Sequence, residues 1–154
     1  MKKRWFLYEA TALFGADQIC KTYVEQNLDP EEEKRLTDRV VLRRAHNRGI
    51  SFGILKDTPK AVLTLSVLAA SIVTVIQVFS MFQRKRILRS VSLSALAAGA
   101  WSNTFDRFAR GYVVDYIGFP CRKKKVSSVT YNFADFFIAM GAAGTLAGEL
   151  FSSK

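Results

Sequence analysis

The chain alternates between long apolar stretches and strongly polar segments. Residues 61–82 form the longest stretch without a charge, and a helix of this length crosses the roughly 30 Å of hydrocarbon in a bilayer. Apolar stretches at about 5–24, 87–105 and 132–150 predict three more spanning helices. The pattern therefore predicts an all-α membrane protein with four transmembrane helices, in which residues 1–154 form a single integral membrane domain.

Polar residues inside the predicted helices indicate which faces are buried. The first helix contains Glu9 and Asp17, and the fourth begins close to Asp135. Charged groups in a spanning helix face the bundle interior or a water-filled cleft, because exposure to lipid is costly. The third and fourth helices are rich in alanine and glycine, which allow helices to approach closely. We therefore expect a tightly packed bundle with a polar interior.

Two longer polar segments, at about 25–60 and 108–130, separate the helices. In the first, β-prone residues at 39–43 are flanked by charge, and residues 47–49 form a turn signal. This pattern predicts a small β-structured unit on the membrane surface after the first helix. Residues 83–86 leave room for little more than a turn between the second and third helices.

Charge agrees with a membrane protein and indicates its orientation. The 154-residue chain has a net charge of +10, although 49% of its residues are hydrophobic. Basic residues beside membrane spans meet anionic headgroups, and the sequence has no basic-aromatic module of a known nucleic-acid-binding type. We therefore expect membrane lipids, and not nucleic acid, as partners. Basic residues in the short segments place both termini in the cytoplasm and the two long polar segments outside.

The N-terminus resembles a signal peptide, because a basic start precedes an apolar run. Glu9 and Asp17 lie within that run, so we interpret it as a retained first helix. Cys20 and Cys121 lack the spacing of metal ligands, and His46, the only histidine, is expected at the solvated surface. We predict neither a metal nor a cofactor.

Two aspartates lie in apolar surroundings near the predicted outer ends of the third and fourth helices. Asp115 lies in the apolar run at 112–117, and Asp135 lies in that at 132–138. A carboxylate at the bilayer centre costs roughly 2.5–3.5 kcal/mol on insertion scales. Two converging carboxylates share one proton, and such a pair activates water against an amide. The alternative is two unrelated polar residues at helix ends, where contact with water removes most of the cost.

Four short motifs occur in order along the chain. They are Asp17-Gln18-Ile19-Cys20-Lys21, Asn47-Arg48-Gly49-Ile50-Ser51-Phe52-Gly53, Asn103-Thr104-Phe105-Asp106-Arg107 followed by Gly111-Tyr112-Val113-Val114-Asp115, and Tyr131-Asn132-Phe133-Ala134-Asp135. With the chain length, the four predicted helices and the order of the polar segments, they resemble the lipoprotein signal peptidases (signal peptidase II), the membrane aspartic endopeptidases of bacteria. The resemblance covers nearly the whole chain.

The resemblance implies an activity and a set of site residues. Members of the family remove the signal peptide from a prolipoprotein by cutting before a cysteine that carries diacylglycerol. The catalytic pair carries over to Asp115 and Asp135. The other motif residues that line the cleft in the family carry over to Asp17, Lys21, Asn47, Gly49, Asn103, Arg107 and Asn132. The implied location is the bacterial cytoplasmic membrane, with the active site at its outer face, and we expect a monomer that acts on diacylglyceryl-modified prolipoproteins.

The chain departs from the family pattern at a few positions. Ser102 stands where the family usually has glycine, Tyr131 stands where it usually has phenylalanine, and the three lysines at 123–125 make the outer loop unusually basic. Asp17 and Lys21 are four residues apart on one helix, so a structural ion pair competes with a role in the cleft. Two other functions are considered: a small transporter whose acids form a polar pathway, and a non-catalytic relative that binds lipoproteins.

Overall fold

The computed structural model describes residues 5–50, 55, 57–82, 87–120 and 129–152. Cys121 and the lysines at 123–125 lie outside this described part. Four long helices make up most of it: α1 (Trp5–Asn27), α2 (Pro59–Phe82), α3 (Ile87–Ala109) and α4 (Phe133–Ser152). Each helix coincides with a predicted spanning stretch to within a few residues at either end.

Two of the described helices are long and apolar enough to cross a membrane, judged by length and composition. They are α2, over Pro59–Phe82, and α4, over Phe133–Leu150. Large apolar side chains such as Leu68, Ile72 and Phe79 are exposed on α2. Helices α1 and α3 carry more polar residues. Several of these are buried, including Asp17 and Lys21 in α1 and Asn103 and Asp106 in α3. Four membrane-spanning helices therefore stay a prediction.

Glycines allow α3 and α4 to pack closely. A Cβ atom on Gly99 would lie 2.4 Å from the carbonyl oxygen of Ala134, and one on Gly141 would lie 2.6 Å from that of Ser92. A larger residue at either glycine would push the two helices apart. The prediction of close approach from the small residues of these helices is confirmed.

A four-stranded antiparallel sheet accompanies the helices. Its strands are β1 (Glu33–Thr37), β2 (Val40–Asn47), β3 (Val113–Gly118) and β4 (Thr130–Tyr131), and they lie side by side in chain order. The hairpin of β1 and β2 confirms the predicted β unit after the first helix. The other half of the sheet comes from the second polar segment, which the sequence analysis left without β structure, so "all-α" was too narrow a description.

The third strand also corrects the expected position of Asp115. We expected this residue near the outer end of the third helix, but α3 ends at Ala109 and Asp115 lies within β3. Gly111 has a φ of 80°, which favours glycine, and its N–H donates to the carbonyl of Arg107 at 3.2 Å. This glycine turn ends the helix and lets the strand begin two residues later.

The sheet packs against the C-terminal end of α1. A cluster of buried side chains joins them: Val24 and Leu28 on one side, and Val114 and Tyr116 of β3 on the other. Side chains alternate across a strand, so Val114 and Tyr116 face α1 while Asp115 faces the opposite way. The strand therefore holds Asp115 on the side where α3 and α4 lie.

Candidate active site

Asn132 and Asp135 define the start of α4. The backbone N–H of Asp135 donates to Asn132 Oδ1 at 2.9 Å, and the N–H of Asn132 donates to Asp135 Oδ2 at 3.1 Å. This is the reciprocal arrangement of a capping box, in which each side chain satisfies an amide that the first helical turn leaves free. The carboxylate of Asp135 is thereby fixed relative to the helix axis.

The side chain of Asn132 also reaches Asp115. Its Nδ2 donates to Asp115 Oδ1 at 2.7 Å, so one amide side chain links the two aspartates. The second oxygen, Oδ2, accepts from Asn47 Nδ2 at 3.2 Å. Asn47 ends β2 and pairs with Val113 in β3, so the register of the sheet sets this contact.

Asn103 of α3 holds Asp135 from the other side. Its Nδ2 donates to Asp135 Oδ1 at 3.0 Å, while its Oδ1 accepts from Lys21 Nζ at 2.8 Å. Each of the four carboxylate oxygens of Asp115 and Asp135 therefore accepts a hydrogen bond from an asparagine N–H. The positive charge of Lys21 is one amide away from Asp135.

An ion cluster with a fully buried centre lies behind the asparagines. Lys21 Nζ is 2.7 Å from Asp17 Oδ2 and 3.0 Å from Asp106 Oδ2, and all three side chains are inaccessible to solvent. Arg110 pairs with Asp106, so the cluster contains two positive and two negative groups. Buried charges persist only when they are paired and hydrogen-bonded. The i, i+4 ion pair considered from the sequence is therefore present.

Two hydroxyl groups complete this cluster. Tyr116 donates to Asp17 Oδ1 at 2.9 Å and accepts from the N–H of Phe133, the first residue of α4, at 3.1 Å. Ser102, at the position where the resemblance implied glycine, donates to Asp17 Oδ2 at 2.6 Å. The cluster thus connects α1, α3, β3 and the start of α4.

Burial alters the acidity of Asp115. Removal from water, together with the nearby negative charge of Asp135, raises the pKa of Asp115 to about 7, although hydrogen bonds from Asn47 and Asn132 act in the opposite direction. A carboxyl with this pKa is only partly ionised at neutral pH. Desolvation and mutual repulsion also disfavour the ionisation of both carboxyls at once. The two aspartates therefore hold one proton between them.

Arg107 connects α3 to the turn after β2. Its Nη2 donates to the carbonyl of Gly49 at 3.0 Å, and its Nη1 donates to that of Asn103 at 3.1 Å. The N–H of Gly49 donates to Asn47 Oδ1 at 3.1 Å, which orients the side chain that reaches Asp115. Gly49 contributes to the site through its backbone.

A cavity of about 650 Å³ lies over both aspartates. Its wall is polar around the carboxyls and apolar along α2 and α4. The lining residues are Asn47, Ile50, Leu65, Ser66, Ala69, Ala100, Asn103, Thr104, Arg107, Val113, Asp115, Val129, Thr130, Tyr131, Asp135, Ile138 and Ala139.

The structure brings the site residues predicted from the sequence into one connected region. Some line the cavity, and the others lie behind the lining residues. Five of them line the cavity: Asn47, Asn103, Arg107, Asp115 and Asp135. Gly49 and Asn132 contact lining residues directly. Asp17 and Lys21 are not in the wall, but Lys21 donates to the lining residue Asn103 and is paired with Asp17. Within the described residues, no group of three or more His, Cys, Asp or Glu side chains could hold a metal ion.

Several residues of the buried cluster were missed by the sequence analysis. Tyr116 and Gln18 received no role, and Asp106 was given one only in the transporter alternative, as an acid of its polar pathway. Arg110 directly follows the last residue of α3 and lies four residues after Asp106, and this spacing was the available signal. Tyr116 gave no such signal, since its partner Asp17 is far away in the sequence.

Two other polar residues lie away from the cavity wall. His46 is exposed, with Nε2 2.6 Å from Glu25 Oε1 and its ring stacked on Tyr112 at a centroid distance of 4.0 Å. Glu9 is partly buried in α1, and its Oε2 has no hydrogen-bond partner in the described part of the chain.

The sequence model of the family described as Signal peptidase (SPase) II matches residues 10–151. The chain belongs to the signal peptidase II family. It is 33% identical over 139 residues to the lipoprotein signal peptidase of Allorhizobium ampelinum, covering 90% of this chain and 83% of the relative. It is 30% identical over 161 aligned positions to that of Rickettsia prowazekii, covering 100% of this chain and 81% of the relative.

Solved structures support the fold. A bacterial membrane enzyme determined by the in meso method at 2.3 Å resolution has a TM-score of 0.81 and 20% identity, covering 97% of this chain and 89% of its own. A second, at 1.9 Å resolution, has a TM-score of 0.77 and 22% identity, covering 94% and 92%. Family membership and these neighbours indicate a bacterial membrane protein from a peptidase family.

Proposed function

We propose that this chain is an aspartic endopeptidase that removes the signal peptide from prolipoproteins, cutting before a diacylglyceryl-modified cysteine, with Asp115 and Asp135 as the catalytic pair. The observation that carries the proposal is the link through Asn132. This residue donates to Asp115 while it caps the helix that holds Asp135, beneath one cavity. An aspartate pair fixed in this way matches the chemistry of the family to which the chain belongs.

The reaction needs one proton on the pair. The ionised carboxylate takes a proton from water, whose oxygen attacks the scissile carbonyl carbon, while the protonated carboxyl donates to the carbonyl oxygen. The tetrahedral intermediate collapses as the C–N bond breaks, and a carboxyl returns a proton to the leaving amine. A pKa of about 7 for Asp115 keeps a proton available near neutral pH.

The asparagines have an orienting role in this mechanism. Because Asn47, Asn103 and Asn132 each donate to a carboxylate oxygen, the lone pairs left over point in fixed directions. Preorganised dipoles of this kind need not rearrange as charge moves to the substrate oxygen. Lys21 orients Asn103 through a hydrogen bond, and Asp17 fixes the start of α4 through Tyr116, which accepts from the N–H of Phe133.

The cavity wall suits a substrate that arrives from the membrane. Leu65 and Ala69 of α2 and Ile138 and Ala139 of α4 form its apolar part, on the two helices apolar enough to span a bilayer. We assign this part to the signal helix and acyl chains, and the polar part to the scissile bond. The proposed topology has four spans, both termini in the cytoplasm and the sheet outside, with the monomer as the acting unit.

The transporter alternative is not favoured. It predicted acids spread through the membrane depth. Instead Asp17, Asp106, Asp115 and Asp135 belong to one connected set of hydrogen bonds beside the sheet, through Lys21, Asn103 and Asn132. Of the five acids that this alternative placed along the pathway, Glu9 is the one outside this set in the described part of the chain.

The test is cleavage by purified protein in detergent of one precursor in two forms, diacylated and with a bare cysteine. We expect cleavage of the diacylated form and essentially none of the other, because the acyl chains hold the substrate at the membrane-level cavity. Equal cleavage of both forms would indicate a general membrane protease, and cleavage of neither would favour a non-catalytic lipoprotein-binding relative.

A further inference from the structure

A second, smaller cavity lies beside the candidate active site. Its volume is about 140 Å³, and three basic residues, Arg48, Lys60 and Arg107, line it. The rest of its wall, within the described residues, is Pro59, Val62, Leu63 and Gly111, so no acidic side chain contributes to it. Arg107 also lines the larger cavity, and the two cavities therefore share one guanidinium group.

Carboxylates near Arg107 neutralise only part of the positive charge around this cavity in the described part of the chain. Arg48 and Lys60 are exposed, and neither side chain forms an ion pair or hydrogen bond there. Arg107 retains one N–H donor, Nε, without a partner among the described residues. By contrast Lys21 and Arg110, close by in the fold, are paired with aspartates. Two basic side chains without partners, beside an arginine that keeps one free N–H donor, favour an anion within the cavity.

Size and position restrict that anion. A cavity needs about 10–15 Å³ for one water molecule, so about 140 Å³ holds a small polar group but not a folded peptide segment. The cavity lies at the first turn of α2 and the last turn of α3. Since α2 is apolar enough to span a bilayer, its end lies at headgroup depth. Arginine and lysine at this depth attract anionic lipids, and both bind phosphate oxygens.

An apolar cavity lies between α1, α2 and α3, about one helical turn from the basic one, and shares Thr104 with the wall of the candidate active site. It measures about 430 Å³ and is lined by Phe14, Val67, Trp101, Thr104, Phe105 and Phe108. Val67 lies one helical turn from Leu63 of the basic cavity, and Thr104 lies about one turn from Arg107. A polar pocket at the helix ends followed by an apolar pocket one turn deeper has the shape of a lipid site.

We propose that these two cavities together bind one anionic glycerophospholipid, with its phosphate between Arg48, Lys60 and Arg107 and an acyl chain against Val67 and Phe108. This lipid is distinct from the substrate, whose cleavage site lies in the larger cavity. Because Arg107 lines both this cavity and the larger one, the phosphate would lie beside the active site. The proposal does not depend on the cleavage reaction.

The test is lipid binding to delipidated protein in detergent, counted by native mass spectrometry with phosphatidylglycerol as probe. We expect one retained lipid per chain, with affinity at least about tenfold lower for Arg48→Gln/Lys60→Gln. The matched control is Lys34→Gln/Arg35→Gln, which removes the same charge from the exposed strand β1 and should change binding less than about twofold. Equal loss in both double variants, or no loss in either, would overturn the site.

Two further arms identify the source of the phosphate. Val67→Trp fills the apolar cavity and should weaken phosphatidylglycerol binding while Arg48 and Lys60 stay intact. Millimolar inorganic phosphate should not displace the lipid, because the acyl chain adds to the affinity. Displacement by inorganic phosphate, with no effect of Val67→Trp, would reject a lipid in favour of a free phosphate ion. All variants lie outside the proposed catalytic residues, so cleavage activity serves as an independent check of folding.

Discussion

The side-chain Nδ2 of Asn132 lies 2.7 Å from Asp115 Oδ1, while Oδ1 of the same side chain caps the helix that carries Asp135. One residue thus performs two tasks that mutation can separate. A cap requires a short side chain with an oxygen acceptor, which serine also has. The contact with Asp115 requires the amide N–H₂, which serine lacks.

The first prediction compares Asn132→Ser with Asn132→Ala. We expect both to lower kcat by about 10²–10³, the effect of removing one preorganised donor. Both variants lose the buried N–H₂ contacts, but the alanine variant should be less stable than the serine variant by about 1 kcal/mol, because only it also loses the cap. Cleavage kinetics and thermal unfolding in detergent measure the two effects. Full activity of Asn132→Ser would show that the Asp115 contact is dispensable.

The second prediction concerns the carboxyls themselves. Asp115→Asn and Asp135→Asn keep the side-chain shape but cannot share a proton, so each should lower cleavage by at least about 10³-fold. Asp38→Asn, an exposed acid in the turn between β1 and β2, is the matched control and should retain activity. Turnover near that of the unaltered chain in either dyad variant would contradict the catalytic assignment.

Much of this arrangement could be predicted from the sequence, because its signals are local. Apolar length predicts the four helices, β-prone residues predict the hairpin, and the motifs name the residues that meet at Asn132. Strand β3 was missed, although its apolar run lies between Gly111 and Gly118, a pattern that also suits a short buried strand. Its partner strand β2 lies about 70 residues earlier in the chain. No local sequence signal specifies which strands pair across such a distance.

The buried cluster was beyond prediction for a related reason. Tyr116 and Asp17 are 99 residues apart, and Ser102 and Asp17 are 85 apart. Each looks ordinary in its own segment. Only the packing of α1, α3 and β3 reveals that Asp17 accepts from both hydroxyls.

The third prediction follows from the raised pKa of Asp115. Its ordinary pKa of 3.8 becomes about 7 in the folded chain, so between these values the folded state holds a proton that the unfolded state releases. The stability from this group is full below about pH 3.8 and is lost as the pH rises through about 7, a change of about 4 kcal/mol.

The measurement is the thermal midpoint in detergent at about pH 5 and about pH 8. We expect the midpoint of the unaltered chain to fall as pH rises, and Asp115→Asn to remove a large part of that fall. Asp38→Asn should leave it in place, since Asp38 is exposed. The same fall in all three proteins would assign it to groups other than Asp115.

The fourth prediction concerns Tyr116. Its hydroxyl donates to Asp17 and accepts from the first amide of α4, so Tyr116→Phe leaves a charged acceptor and a helix N–H with one partner fewer. We expect a loss of about 1–3 kcal/mol in unfolding free energy and a lower kcat, because the start of α4 also positions Asp135. Tyr23→Phe on the exposed side of α1 is the control and should have little effect on either. An unchanged kcat with lower stability would limit Tyr116 to a structural role.

The last prediction tests why serine occupies position 102. Its Oγ donates to Asp17 at 2.6 Å and accepts from Gln18 Nε2 at 2.8 Å. Ser102→Ala removes both bonds, and a third from Lys21 Nζ at 3.4 Å, and should destabilise the fold by about 1–3 kcal/mol. Ser102→Gly should lose about 1 kcal/mol more, because glycine is the poorer helix former. Thr11→Ala, whose exposed hydroxyl bonds only within α1, is the control and should stay within about 0.5 kcal/mol. If Ser102→Gly were instead more stable than Ser102→Ala, close helix approach, and not the hydroxyl, would govern this position.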